Sequence, residues 1–580
     1  MIKITAGQAI AKVLISWDID HLYGIPGSSV NGLMDGLYQE KENLAYIQVR
    51  HEAAGAMAAS ADAKYTGKIG VAFGSGGPGG TNLINGLYDA KMDRVPLLAL
   101  IGQTETKNMN TTYFQEMSQL PIYSDVAVYN KQVVNAEQIP YVIEEAIRQA
   151  YKHKGVSVVI LPNDLVEKTI EYTERKEDKY IPMKTSPIIS KKVIDNSLDM
   201  IKQAKNPVLY VGLGAKNSSD LVEKVSEKFS LPVISSALSI GTSIPNDFKN
   251  YIGSFGRLGT KPAFEALNKA DLVLFIGSNM PFARFWPKDL KVIQVNNDFS
   301  DIGKQLTVDL GIYGDAKEYL TKLLDSDYSI TNRQFLTASK INKKNWDNWL
   351  DNVAQNEDSG LPAEAVLKEI AHYATEDAVF GLDVGNNAMH AVRMLPLTGK
   401  QQFALSAWFA TMGYGLPSAM AAHLSFPDKQ IWSISGDGGF SMNMQEIVTQ
   451  AKYNMPIINI VLSNQSYGFI QHAQILNDFM YGVDLQDADW AKAAEAMGAI
   501  SFSVSTITEL KNAFKEIESI QSKGNTQPIL LDAKLHYRDP LDTSFLILDP
   551  EIYSTEEIAA YKEQYNVFDM PALSEILKEI

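Results

Sequence analysis

The segments Gly436-Asp437-Gly438-Gly439-Phe440 and Asn464-Gln465-Ser466-Tyr467-Gly468 carry residue types suited to a divalent cation and a diphosphate. Mg2+ prefers carboxylate, amide and backbone oxygens completed by phosphate oxygens, which makes Asp437 and Asn464 candidate ligands. Gly438 and Gly439 let the backbone approach a phosphate, and a helix that follows offers its free N–H groups to an anion. The plainer reading of Gly-Asp-Gly is a turn between strand and helix. The surrounding elements favour the metal. Gln430 to Ser435 reads as a buried strand, Phe440 to Tyr453 as a helix, and Pro456 to Leu462 as a second buried strand. A strand-helix-strand crossover makes the two strands parallel. Asp437 and Asn464 then stand at the carboxyl ends of nearby strands, where open α/β sheets hold ligands.

The chain has 580 residues, enough for three or four domains with their own cores. Its formal net charge of -16 argues against nucleic acid or an anionic membrane as partner. No apolar run approaches a membrane span, and the N-terminal residues lack a signal-peptide core. Cysteine is absent, which excludes disulfides, thiolate metal sites, a cysteine nucleophile and dithiol redox chemistry. Redox chemistry here requires an organic cofactor, and the cytoplasm is the expected compartment.

Residues 1–180 alternate strands and helices, the pattern of a doubly wound parallel sheet. Glu52 ends the stretch Leu44 to Glu52 and precedes an alanine-rich helix, so it can reach across a cleft; an ordinary helix N-terminal glutamate is the simpler alternative. Gly74 to Gly79 matches G-x-G-x-x-G. A dinucleotide site needs an acid at the end of the next strand, and that strand ends at Gly102-Gln103, so these glycines read as a tight helix start beside a ligand. A charged, proline-flanked stretch near 173–187 reads as a linker. Residues 190–330 form a second α/β block with strands opening into Gly212-Leu213-Gly214 and into Gly277-Ser278-Asn279, a Rossmann-like pattern. Residues 355–545 form a third block, and 546–580 a C-terminal arm with a helix from Tyr553 to Tyr565.

Seven segments in order carry a resemblance: Tyr23-Gly24-Ile25-Pro26-Gly27, Gln48-Val49-Arg50-His51-Glu52, Gly76 to Thr81, Phe114-Gln115-Glu116-Met117, Phe409 to Gly413, Gly436 to Gly439, and Tyr467-Gly468-Phe469-Ile470. Together they resemble the thiamine-diphosphate pyruvate oxidase and acetohydroxyacid synthase superfamily, nearest to the phosphate-dependent pyruvate oxidases. The resemblance implies three α/β domains: a pyrimidine-binding domain, a central FAD-binding domain and a diphosphate-binding domain. It implies a site shared between subunits, hence at least a homodimer and usually a homotetramer. The expected substrates are pyruvate, phosphate and O2.

The resemblance also assigns roles. Asp437, Asn464 and the carbonyl of Ser466 would hold Mg2+ on the cofactor diphosphate, within the stretch Gly436 to Gly439 and Tyr467 to Ile470. Glu52 would be the proton relay to the aminopyrimidine, and Met412 the apolar wedge that bends the cofactor. Val384 and Gly385 would lie against it. Ser28, Ser29, Phe114, Gln115 and Phe469 would line the substrate side. Gly212, Gly214, Arg257, Gly277, Asn279 and Asp315 align with FAD-contacting stretches, and Arg257 suits a phosphate.

Two departures stand out. After Phe469-Ile470 the oxidases carry an acidic run, whereas this chain has Gln471-His472-Ala473-Gln474; His472 is either a substitute acid-base group or an ordinary surface residue. The acid that ends the third central strand is replaced by Asn296-Asn297, followed by Asp298. The leading expectation is a pyruvate oxidase. The alternatives are a carboligase or non-oxidative 2-oxo acid decarboxylase of the same superfamily, and a catalytically silent binding subunit.

Overall fold

The computed structural model describes residues 2–174, 186–279, 282–475, 477–536, 549–551, 553–565 and 570–580. The expected linker and the expected boundary near residue 545 fall largely at 175–185 and 537–548, outside the described residues.

Three six-stranded sheets organise the chain, and every strand pair within them is parallel. The first has the spatial order Ala45–Gln48, His21–Gly24, Gly70–Gly74, Leu97–Gln103, Val156–Pro162, Ala127–Gln132. Its first strand in the chain lies second, giving the winding order 2-1-3-4-6-5. The third sheet repeats that order with Gln402–Ala404, Val379–Leu382, Ile431–Gly436, Ile458–Ser463, Ile529–Lys534 and Ile500–Val504. Central strands such as Leu97–Gln103 and Ile458–Ser463 are buried along their whole length, because helices cover both faces.

The middle sheet differs. Its order is Tyr251–Ser254, Val233–Ser235, Pro207–Val211, Leu272–Ile276, Lys291–Asn296, Leu310–Tyr313, which is 3-2-1-4-5-6 in chain order. That is the winding of dinucleotide-binding sheets, with its crevice where the order reverses, between the first and fourth strands.

The expected helix from Phe440 to Tyr453 is two helices, Asp437–Asn443 and Glu446–Lys452. Asp437 itself is the first residue of the former, and the break at Met444-Gln445 redirects the chain beneath the first domain. There Glu446 accepts the Arg50 backbone N–H at 2.9 Å. The glycine turn starts its helix at Pro78, after Gly77 in a left-handed conformation (φ +72°).

Polar clusters join the domains. Arg94 of the first grips Asp301 of the second through two hydrogen bonds of 2.7 and 2.9 Å. Lys64 sits between Asp89 and Asp93, at 2.7 and 2.6 Å, and donates to the Leu405 carbonyl at 3.0 Å. In the arm, the expected helix spans Thr555–Tyr565, and a further helix, Leu573–Glu579, packs Leu573 and Ile576 against Phe264 and Phe335. Buried Lys261 ties the arm down, donating to the Pro571 carbonyl at 3.1 Å and to Glu265 at 2.8 Å. Among the described residues, no helix is long and apolar enough to cross a membrane.

Candidate active site

A cavity of about 1430 Å3 opens between the second and third sheets, rimmed by residues of the first domain. Asp437 and Asn464 line it from two adjacent strands of the third sheet. Asp437 is buried, and its carboxylate accepts the N–H groups of Gly438 (3.0 Å) and Gln465 (2.7 Å). Burial pushes its carboxyl up to about 6. Asn464 turns its own loop, since its Oδ1 accepts the Ser466 N–H at 3.2 Å, and Gln465 between them is left-handed (φ +53°).

The glycines of this loop are there for space. A Cβ on Gly438 would stand 2.6 Å from the Tyr467 ring, and one on Gly439 2.8 Å from the Asp383 carboxylate. Gly385 has φ +131°, accessible to glycine. The result is a backbone-walled hollow beside a buried carboxylate whose partners are neutral N–H groups. That donor set fits Mg2+ with a diphosphate, whose cation would replace the missing countercharge.

Val384, Gly385, Met412, Gly436, Gly438, Gly439, Ser466 and the run from Tyr467 to Ile470 line the same cavity. So do Gly214, Arg257, Gly277, Asn279 and Asp315 on the central side, at the crevice of the 3-2-1-4-5-6 sheet. Gly212 does not; its role is backbone packing, since a Cβ there would lie 2.4 Å from the Gly277 carbonyl oxygen. The Asp315 carboxylate caps the helix Ala316–Leu324, accepting the Lys317 N–H at 2.8 Å. Asn296, in place of an acid, also lines the cavity, and its Oδ1 accepts the Asp298 N–H at 2.9 Å. Arg257 lies over the Phe469 ring, 4.8 Å from its centroid, linking the two sides.

The remaining expected residues assemble elsewhere. Glu52, 6% exposed, begins the helix Glu52–Thr66 and accepts from Asn82 Nδ2 at 2.9 Å. Ser29 Oγ accepts the Gly76 N–H at 2.7 Å. Gln115, left-handed at φ +59°, packs beside Gly77. Ser28 opens the short turn Ser28–Val30, and Phe114 is 77% exposed. This cluster surrounds the glycine turn of the first sheet, and none of its residues lines the large cavity of the same chain.

Sequence reasoning missed Asp383. It lies at the end of the strand Val379–Leu382, fully buried, and accepts backbone N–H groups from Val384 and Gly413. A signal existed: an acid at a strand end before Val-Gly occupies the same kind of position as Asp437.

The geometry defines a class, an α/β protein with a buried carboxylate and a backbone-walled hollow, suited to a diphosphate, at the carboxyl edge of a parallel sheet. Comparison with known proteins makes the class specific. Residues 4–122, 194–323 and 383–533 match the N-terminal TPP-binding, central, and C-terminal TPP-binding domains of thiamine pyrophosphate enzymes. The chain is 40% identical to a pyruvate oxidase of Lactiplantibacillus plantarum, covering 100% of this chain and 96% of that protein. It is 29% identical to the acetolactate synthase large subunit of Corynebacterium glutamicum (91% and 86% covered). It is 28% identical to that of Haemophilus influenzae (92% and 96%). The chain belongs to the thiamine pyrophosphate enzyme family and is an enzyme of pyruvate oxidase type. It is a thiamine-diphosphate-dependent enzyme acting on a 2-oxo acid.

Proposed function

We propose that the protein is a pyruvate oxidase, converting pyruvate, phosphate, O2 and a proton into acetyl phosphate, CO2 and H2O2. One observation carries this reading: the crevice of the central 3-2-1-4-5-6 sheet and the Asp437–Asn464 edge of the third sheet open into a single cavity. An oxidase needs its flavin within electron-transfer reach of the carbon that loses CO2. Thiamine diphosphate supplies the electron sink for decarboxylation, and FAD the two-electron acceptor.

The chain's own residues then have the following tasks. Asp437, Asn464 and the Ser466 carbonyl hold Mg2+, and the backbone at Gly438 and Gly439 leaves room for the diphosphate. Gly214, Gly277 and Asn279 form the floor for FAD, with Arg257 as its phosphate partner. Met412 and Phe469 exclude water from the reacting centre. Glu52 holds a proton against the aminopyrimidine ring, supplied by a second copy of the chain. That arrangement accounts for its place outside the cavity of its own chain and supports an assembly of at least two subunits, a homotetramer by family resemblance. The purified protein is expected to show a flavin spectrum that bleaches on adding pyruvate, with H2O2 released in air. Bound flavin without pyruvate-dependent peroxide defeats the proposal.

A second reading rests on Gln471-His472-Ala473-Gln474. This run lies on the helix Gly468–Ile475, where Ser466 Oγ donates to Gln471, and it places no carboxylate beside the cavity. A carboligase forming acetolactate fits such a wall. Product analysis separates the two: acetolactate or acetaldehyde in place of acetyl phosphate establishes the second.

A further inference from the structure

We propose that Asp383 is the positioning residue of the cofactor pocket, its carboxylate fixing the Met412 turn against the diphosphate loop. The inference rests on the reading of Met412 as part of that pocket.

Asp383 is fully buried. Its Oδ1 accepts the N–H groups of Val384 (2.7 Å) and Gly413 (2.9 Å), and its Oδ2 that of Gly415 (3.3 Å). The diphosphate loop presses on the same carboxylate, so closely that a Cβ at residue 439 would come within 2.8 Å of it. One side chain therefore touches three segments, each of which lines the cavity: Val384-Gly385, the Met412 turn, and Gly438-Gly439.

The turn needs holding. Ala410 and Gly413, on either side of Met412, are both left-handed, at φ +58° and +81°. For alanine that conformation is unfavourable and persists where surroundings over-determine it. The other end of the turn is fastened as well: Asp93 accepts the Trp408 N–H at 3.1 Å, and Ser406 Oγ the Thr411 N–H at 3.1 Å. Asn443 Nδ2 donates to the Gly413 carbonyl at 2.7 Å. At the Asp383 end, an ionised carboxylate is the side chain suited to the task, being acceptor-only and able to take several N–H groups. An amide of the same shape offers one oxygen and sets an NH2 group against a backbone N–H. A core filler would be apolar, because burying an acid without a cationic partner is costly.

The test is a double-mutant cycle on the holoenzyme with thiamine diphosphate and Mg2+. Asp383→Asn and Met412→Ala are each expected to lower kcat for pyruvate on the order of 10²-fold, with KM changed little. The double variant should match the slower single, because both act through one turn. Rate losses that multiply in the double variant overturn the proposal, as does an Asp383→Asn effect confined to unfolding. Hydrogen exchange on the wild-type protein keeps the test open if Asp383→Asn does not fold. The Gly413 and Gly415 amides should exchange slowly, and exchange as fast as an exposed loop overturns the proposal. A wild-type protein that bound no thiamine diphosphate would defeat the functional reading and the cofactor role of the turn together. Multiplying losses with protected amides would defeat the positioning role alone.

Discussion

Asp437 Oδ2 accepts the backbone N–H of Gln465 at 2.7 Å, so the carboxylate that faces the cavity also fastens the loop bearing Asn464 and Ser466. The two loops are thus not independent. A change at residue 437 moves both.

Asp437→Ala is therefore expected to remove the proposed metal carboxylate and release the second loop together. Mg2+-supported affinity for thiamine diphosphate should fall on the order of 100-fold or more, read by tryptophan quenching on titration. An unchanged Kd would show that the cation is held elsewhere.

Glu52→Gln preserves the shape of the side chain and its contact with Asn82. The expected outcome is a kcat lowered by about 10²- to 10⁴-fold, with cofactor affinity and melting temperature close to wild type. Near-normal turnover would remove Glu52 from proton transfer.

Gly439→Ala introduces a methyl group 2.8 Å from the buried Asp383 carboxylate. Overpacking at such a place costs about 1–3 kcal/mol, to be measured by urea denaturation of the apoprotein. Wild-type stability would mean that the loop and Asp383 are not in contact.

Glu446 gives a pH prediction. Burial holds its carboxyl at about 7 in the folded protein, above the ordinary 4.5. The folded state thus favours the protonated acid. Its contribution is fully present below pH 4.5 and declines as pH rises to about 7. Glu446→Gln, which keeps an acceptor for the Arg50 N–H, should remove this decline. Relative to wild type the variant should gain about 3 kcal/mol between pH 4.5 and pH 7.5, from denaturation curves at both values. A difference independent of pH would show that folding does not raise the Glu446 carboxyl.

The alternation of strands and helices made three parallel α/β units legible, because buried parallel strands read as continuous apolar runs. Their winding order was not legible, since nothing local specifies which strand is whose neighbour. Asp437 and Asn464 were readable because a glycine-bracketed acid between apolar runs is a local pattern. The break at Met444-Gln445 was not, as the segment's helix propensity is continuous and Glu446 turns inward to meet Arg50, 396 positions away. Asp383 escaped notice because its partners, Gly413 and Gly415, lie 30 and 32 positions on and are backbone groups, which leave no mark in side-chain chemistry.

The first and third sheets share the winding 2-1-3-4-6-5, and each passes at the end of its third strand through glycines into a helix: Gly74 to Pro78 in one, Gly436 directly into Asp437-Gly438-Gly439 in the other. The chain thus carries one scaffold twice, as duplication followed by divergence would leave it. The third sheet carries its carboxylate, Asp437, on that corner itself. In the first sheet the corner holds only small residues, and Glu52, which follows the second strand, reaches it from beside, a Cβ at Gly79 lying 3.1 Å from its carboxylate. Exchanging the two corners between copies would be a direct way to ask how much of each task belongs to the residues and how much to the shared frame.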